Sequence, residues 1–364
     1  MTTSKITYNL TESRKPKPDD KTLVFGRSFT DHMFIADYVK GSGWQNHRIV
    51  PYAPISLDPA AIVFHYGQTV FEGLKAYRAE DDSIRLFRPE ENFRRLNRSL
   101  DRLCMPEIDT EDALAGLLEL LRVEEGWVPH LLGTSLYIRP FVIATEAFLG
   151  VAPAASYQFY IILSPVGSYY EEGIHPVKIL VENEYVRAVK GGTGGAKTAG
   201  NYASALKAQE TASSRGYSQV MWLDGVEKKY VEEVGSMNIF FKIDGEIITP
   251  AINGSILEGI TRKSIIELLA HWGTPVTERK ISIDEVADAH AAGKLEEVFG
   301  TGTAAVISPV GELNWNDTVM VVNEGETGPV SKKLYETLTQ IQTGEESDPL
   351  GWVTEVPSSL EKIS

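Results

Sequence analysis

Residues 191–202 read GGTGGAKTAGNY, with five glycines among the first ten positions around Lys197. Glycine permits close backbone approach and left-handed torsions, at an entropic cost that needs a reason. A bare surface loop is one reading. A phosphate-binding loop is another, because residues 191–198 nearly spell G-x-x-x-x-G-K-[ST] and residues 220–224 (VMWLD) resemble an apolar strand ending in a Mg-binding aspartate. Against it, Ala196 stands where the second glycine belongs. In the third reading Lys197 is a nucleophile, an amine that condenses with an aldehyde where its surroundings favour the neutral form.

The rest of the sequence narrows the choice. A chain of 364 residues is long enough for about two domains. Its 43% hydrophobic and 23% charged residues fit a globular protein with a real core. The net charge of −15 disfavours nucleic acid and anionic membrane surfaces as partners. Cys104 is the one cysteine, so no internal disulfide can form and a reducing, cytoplasmic setting is expected. No apolar run reaches the ~18 residues that span a bilayer. The seven histidines lie fifteen or more residues apart, without a local metal motif, and no metal is expected. Residues 1–22 mix basic residues with Glu12, Asp19 and Asp20; they resemble neither a signal nor a transit peptide and read as a mobile arm.

Residues 23–166 read as a smaller α/β domain. Pro89 opens a helix with Phe93, Leu96, Leu100 and Leu103 at helical spacing, and Leu114, Leu117, Leu118 and Leu121 mark a second. Residues 135–145 and 158–163 read as strands. Residues 167–177 form the expected interdomain linker, and residues 178–364 a larger domain carrying Lys197. There, Asp224-Gly225 and Asp244-Gly245 mark two hairpins. Helices are expected over residues 202–215, 261–272 and 331–342, and Ser282 to Glu285 reads as a capping box.

If Lys197 captures an aldehyde, pyridoxal 5'-phosphate is the cofactor to test, and it needs a phosphate site and a carboxylate for its ring nitrogen. Gly259-Ile260-Thr261 precedes a helix whose N-terminal N–H groups suit phosphate. The segment at 300–304 (GTGTA) follows an apolar run and offers further donors, and Glu232-Glu233 supplies the carboxylate.

These residues sit in segments that together resemble branched-chain amino acid aminotransferases, pyridoxal-phosphate enzymes of fold type IV: FGRSFTDHM, HYGQTVFEGLKAY, LFRPEENFRRL, SLYIRP, the Lys197 loop with Asn201-Tyr202, EEVGSMN, LEGITR and EVFGTGTAAVISPV. The resemblance runs from about Phe25 to Gly344. It implies a two-domain mixed α/β (α+β) architecture and reversible transamination of L-leucine, L-isoleucine and L-valine with 2-oxoglutarate, giving branched 2-oxo acids and L-glutamate. Lys197 would link covalently to the cofactor and shuttle the substrate proton. Tyr202 would hold the phenolic oxygen and Glu233 the ring nitrogen, while Arg95, Ile260, Thr261 and Thr303 would hold the phosphate. A solvated helix face is the competing reading for Arg95.

For the substrate, the resemblance implies that Thr303 and Ala304 bind the α-carboxylate and that Phe71, Tyr137 and Tyr169 line the apolar pocket. Tyr66 with Arg139 would take the γ-carboxylate of glutamate. Tyr137 and Arg139, two apart in an expected strand, point the same way, and an arginine on that face needs an anionic partner. The loop around Leu149 and Val151 would come from the second subunit of a homodimer. Mammalian members carry Cys-x-x-Cys where this chain has Ala305 and Ser308, so thiol regulation is excluded there. Other fold type IV chemistries, D-amino acid transamination and aminodeoxychorismate lysis, are the alternatives closest to this reading.

Overall fold

The computed structural model describes residues 5–169 and 174–357. Its contacts divide the chain into two units, Met1–Tyr169 with Gln340–Ser364, and Tyr170–Thr339. Part of the expected linker, residues 170–173, lies outside the described residues.

The first unit is built on a nine-stranded sheet. Its order is Thr7–Tyr8, Gly43–Pro51, His32–Val39, Ser156–Val166, Ser135–Ala144, Leu74–Arg78, Ile84–Phe87 and Val353–Val356, with Thr69–Phe71 also paired to Ser135–Ala144. Side chains alternate across a strand, so one strand serves two environments. Leu136, Ile138 and Val142 are fully buried in the core, and Tyr137, Arg139 and Phe141 face the other way, half-buried. On the core side lie two helices. Pro89–Arg102 has Pro at its first turn with Glu90 and Glu91, and buries Phe93, Leu96 and Leu100. Thr110–Val123 is capped by Asp109, whose carboxylate accepts from the Glu111 and Asp112 N–H groups.

The second unit carries its own sheet, in the order Val231–Val234, Gln219–Leu223, Val177–Val181, Val306–Trp315, Leu295–Gly302, Asn238–Ile243, Glu246–Pro250 and Val276–Arg279, with Thr318–Val321 on Val306–Trp315. Ile179, Met221, Val234, Ile239, Phe241 and Leu313 form its main core. The helix Leu206–Ser214 buries Ala208 and Ala212 against Leu180, Val220 and Trp222. Asp244 and Gly245 both adopt positive φ (50° and 81°), the torsions of a type I′ turn, and join antiparallel partners as expected.

Several sequence expectations need correction. The C-terminal tail does not belong with the second unit: Val353–Val356 pairs antiparallel with Ile84–Phe87. The described part of the N-terminal arm is fastened, with Thr7–Tyr8 parallel to Gly43–Pro51, Thr11 N–H donating to His32 Nε2 (2.9 Å) and Lys15 N–H to Asp31 Oδ1 (2.8 Å). The single helix expected at 202–215 is two, Ala199–Ala203 and Leu206–Ser214, divided at Ser204, whose hydroxyl donates to the Asn201 and Arg187 carbonyls. The capping box is half made: Ser282 accepts from Glu285 N–H, but the Glu285 carboxylate pairs with Arg279. Among the described residues no helix is long and apolar enough to cross a membrane, and no group of three metal-ligating side chains is found.

Candidate active site

In the second unit, Lys197 sits in the glycine-rich loop just before Ala199–Ala203, and its Nζ donates to the Tyr202 hydroxyl at 2.8 Å. Asn201 locks this loop. Its amide donates to the Thr193 and Ala196 carbonyls, both at 2.8 Å, and accepts from the Thr193 hydroxyl at 2.7 Å. Close approach explains one of the glycines: a Cβ on Gly194 would meet the Ser255 carbonyl oxygen at 2.2 Å.

Glu233 lies in Val231–Val234, 3% exposed, where Leu257 N–H donates to its Oε1 (2.7 Å) and Arg187 Nε lies 2.8 Å from its Oε2. Burial pushes the Glu233 carboxyl above the usual range, against the pull of Arg187, Leu257 N–H and Lys197. Arg187 also reaches the Ser255 carbonyl, tying the Lys197 loop to the segment after Pro250. Glu232, the neighbour, points the other way and accepts from Ser255 and Asn253. The sequence reading did not single out Arg187, which carries no motif of its own.

The helix Ile260–His271 begins at Gly259 without a side-chain cap and with no acidic residue in its first turn, so its N-terminal N–H groups suit an anion. A Cβ on Gly259 would strike Asn238 Oδ1 at 1.9 Å, so glycine is required where the chain enters the helix. Ile260 and Thr261 are buried in its first turn. Thr303 and Ala304 form the turn between Leu295–Gly302 and Val306–Trp315. These donors, a buried carboxyl and a lysine paired to a phenol fit a phosphorylated pyridine aldehyde, and all are in this unit.

The phosphate-binding reading of residues 191–198 fails on context. The Asp224 carboxylate is spent on the backbone N–H groups of Val226, Glu227, Lys229 and Tyr230, at 2.7–3.1 Å, so it organises its own turn.

In the first unit, Arg95 is not a solvated helix residue. It is 4% exposed and doubly hydrogen-bonded to the fully buried Glu72 (2.8 and 2.9 Å), which also accepts from Asn92; the Arg94 side chain is 58% exposed. Tyr137 and Arg139 do share a face. Arg139 Nη2 donates to the Tyr137 hydroxyl (2.9 Å), and the guanidinium lies 4.7 Å from the Phe71 ring centre and 5.2 Å from that of Tyr137. Its Nε is buried without a hydrogen bond, and no carboxylate among the described residues pairs with it.

Two neighbours were not singled out from sequence. Phe25 packs edge-on against Tyr137 (4.8 Å), and Lys75 stands opposite Tyr137 in the antiparallel register, its ammonium pushed down to about 8 by burial. Tyr66 is not found with Arg139 among these contacts; its hydroxyl donates to the Leu149 carbonyl. Leu149 and Val151 are 61% and 84% exposed, and Tyr169 is half exposed.

A lysine amine poised beside a phenol, with a buried carboxyl in the same unit, is equipment for covalent capture of a carbonyl compound. The chain belongs to the class IV aminotransferases, whose family model matches residues 69–313. Branched-chain-amino-acid aminotransferase 2 of Bacillus subtilis (strain 168) is 65% identical over 361 residues, covering 99% of both chains. The solved Escherichia coli branched-chain amino acid aminotransferase superposes with a TM-score of 0.74 at 28% identity, covering 90% of this chain and 99% of that one. A branched-chain aminotransferase from the thermophilic archaeon Thermoproteus uzoniensis, solved with norvaline, gives 0.74 at 26% identity, covering 89% and 100%. A further solved branched-chain amino acid aminotransferase, complexed with N-(5'-phosphopyridoxyl)-L-glutamate, gives 0.72 at 27% identity, covering 88% and 98%.

Proposed function

We propose that this chain is a pyridoxal 5'-phosphate enzyme that moves the amino group of L-leucine, L-isoleucine or L-valine reversibly to 2-oxoglutarate, giving the branched 2-oxo acid and L-glutamate. The observation that carries the reading is the Lys197–Tyr202 pair in the unit that also buries Glu233 against Arg187. When bound, the cofactor supplies an aldehyde for amine capture and an electron-withdrawing ring. Lys197 would hold it covalently, then take the proton from the substrate Cα on Nζ and return it in the reverse sense. Tyr202 would hold the phenolic oxygen and steady Nζ. Glu233, held as a carboxylate beside the Arg187 guanidinium, would keep the ring nitrogen protonated. Arg95, the Ile260 and Thr261 N–H groups and Thr303 would bind the phosphate.

Thr303 and Ala304 N–H groups would orient the α-carboxylate. Phe71, Tyr137 and Tyr169 would line an apolar pocket for a branched side chain, and Arg139 would offer a cation to the γ-carboxylate of glutamate, supported by its lack of a carboxylate partner among the described residues. A homodimer belongs to this reading, the exposed Leu149 and Val151 being residues for a second copy to use, with Tyr66 travelling alongside through its bond to Leu149. The setting is cytoplasmic, as the lone Cys104 suggests.

The test is a coupled assay with L-leucine and D-alanine as donors and 2-oxoglutarate as acceptor. Turnover with L-leucine is expected; turnover with D-alanine alone would replace this reading by D-amino acid transamination. Borohydride reduction followed by peptide mapping should place the cofactor on Lys197, and a label on another lysine would end the assignment.

A further inference from the structure

On the far side of the strand that carries Glu233, the second unit contains a cavity of about 230 Å³ that the chemistry above does not use. Val226, Val231, Pro250 and Ile256 give it apolar walls, Glu232 lies among its lining residues, and Lys190 and Lys280 stand at its exposed rim. Glu232 is 4% exposed, and both hydrogen bonds it accepts, from Ser255 and from Asn253 (3.1 Å), fall on Oε1. Among the described residues its Oε2 accepts none. That oxygen is not itself fully buried, so it is an acceptor that a molecule entering from solution can reach. Neither lysine pairs with a carboxylate among the described residues; Lys280 Nζ rests 4.4 Å from the Tyr230 ring centre.

The charges decide the ligand class. Three carboxylates and two lysines line it: Asp224 is taken up by four backbone N–H groups, Glu227 lies exposed, and Glu232 keeps one open acceptor, so a lone anion meets carboxylates and a lone cation meets the two rim lysines. An ammonium and a carboxylate joined by a short link satisfy both ends, and the apolar walls call for an alkyl group. The volume is below the ~300 Å³ at which ordinary ligand pockets begin, so the molecule must be small. We propose that this cavity binds a free aliphatic amino acid, separate from the catalytic site, with its ammonium on Glu232 Oε2, its carboxylate at Lys280 and Lys190, and its side chain on Val226 and Ile256. Glu232 and Glu233 hold one short segment from opposite sides of the strand, Glu232 through Asn253 and Ser255, Glu233 through Leu257 N–H. The second site therefore abuts the support of the catalytic carboxyl.

The experiment is titration calorimetry of L-leucine into holoenzyme already reduced with borohydride, which closes the catalytic lysine. Mapping the reduced lysine tests the catalytic reading separately, so failure there is distinguishable from failure here. One saturable site per chain at millimolar leucine is expected, with 4-methylvaleric acid, which lacks the ammonium, and isoamylamine, which lacks the carboxylate, at least about tenfold weaker, as loss of one charged hydrogen-bond partner implies. Glu232→Gln should weaken leucine by a similar factor. Val226→Trp, at a position 83% exposed, should block the cavity without disturbing the core. No saturable binding, equal binding of the deaminated acid, or binding untouched by both variants would overturn the proposal.

Discussion

Glu233 and Glu232 are adjacent carboxylates with opposite tasks, and their partners tell them apart. Glu233→Gln keeps the Leu257 hydrogen bond acceptor but removes the charge that faces Arg187 and would hold the ring nitrogen. Its kcat should fall by about 10²-fold or more, the usual worth of one electrostatic catalytic partner. Glu232→Gln should leave kcat within about twofold, because its carboxylate faces Ser255 and Asn253, on the other side of the strand from the group that would meet the ring nitrogen. Steady-state kinetics with leucine on both variants decides it; the reverse ranking would mean the register of the strand has been misassigned. Arg139→Met makes the second residue-scale prediction. Loss of the cation should cost glutamate about 2–5 kcal/mol in kcat/KM. Leucine should change by less than about 1 kcal/mol, since methionine keeps the bulk against Phe71 and Tyr137. Single-turnover rates with each amino acid measure both, and equal losses would make Arg139 a packing residue.

At the scale of elements, the Lys197 loop depends on contacts that its own sequence does not contain. Gly194→Ala pushes a methyl into the Ser255 carbonyl, which already accepts from Arg187, so the loop or the segment after Pro250 must move. A loss of about 1–3 kcal/mol is expected, as for overpacking, together with easier loss of the cofactor on dialysis. Gly200→Ala is the control: it has open space and lies in the short helix, so it should be neutral or stabilising by about 0.5–1 kcal/mol. Thermal melts of the two variants compare them directly. This loop also marks the limit of what could be read beforehand. Periodicity exposed the helix at Pro89, and apolar, β-branched composition the strand at 135–145, because those elements pack against a core. The Asp244-Gly245 turn was legible from its torsional demands. Arg187 was not, since nothing local announces that its guanidinium will meet Glu233 and Ser255, both far along the chain. The break at Ser204 was hidden for the same reason: hydroxyls that bond backward to carbonyls look like ordinary helix residues in sequence.

For the whole molecule, stability should fall away at both ends of the pH scale for separate reasons. Burial alone would raise the Asp37 carboxyl, but Arg48 (2.7 and 3.2 Å) and Gln158 (3.0 Å) outweigh it and hold the group below its ordinary value. A carboxyl lowered by folding adds stability above its unfolded value, roughly 4, and that share disappears as the pH drops through the folded value. Tyr160 works in the opposite sense, its phenol pushed up by burial to about 12. Its share is complete below about 10 and is lost as the pH rises through 12. Melting temperature against pH should show a plateau bounded by these two limbs. Asp37→Asn should flatten the acid limb and Tyr160→Phe the alkaline one; a variant that shifts the plateau without altering its limb would show that the titration lies elsewhere.

The return of Val353–Val356 to the first unit has a bearing on how the protein is made. Ile84–Phe87 leaves the ribosome early, yet the strand that covers its outer edge, and Trp352, which packs edge-on against Phe87 at 5.5 Å, come far later in the chain. Residues 88–352 must be synthesised in between, roughly 13–53 s at ~5–20 residues per second. Throughout that interval the nascent chain presents an open strand edge, the feature that recruits other strands into aggregates. A chain ended at residue 352 would keep that edge for life. It should yield mostly insoluble protein at 37 °C while the full chain stays in the supernatant, and chaperones that shield nascent chains should matter more for this enzyme's yield than its melting temperature suggests. Equal solubility of the shortened chain would show that the edge is protected by something other than its last strand.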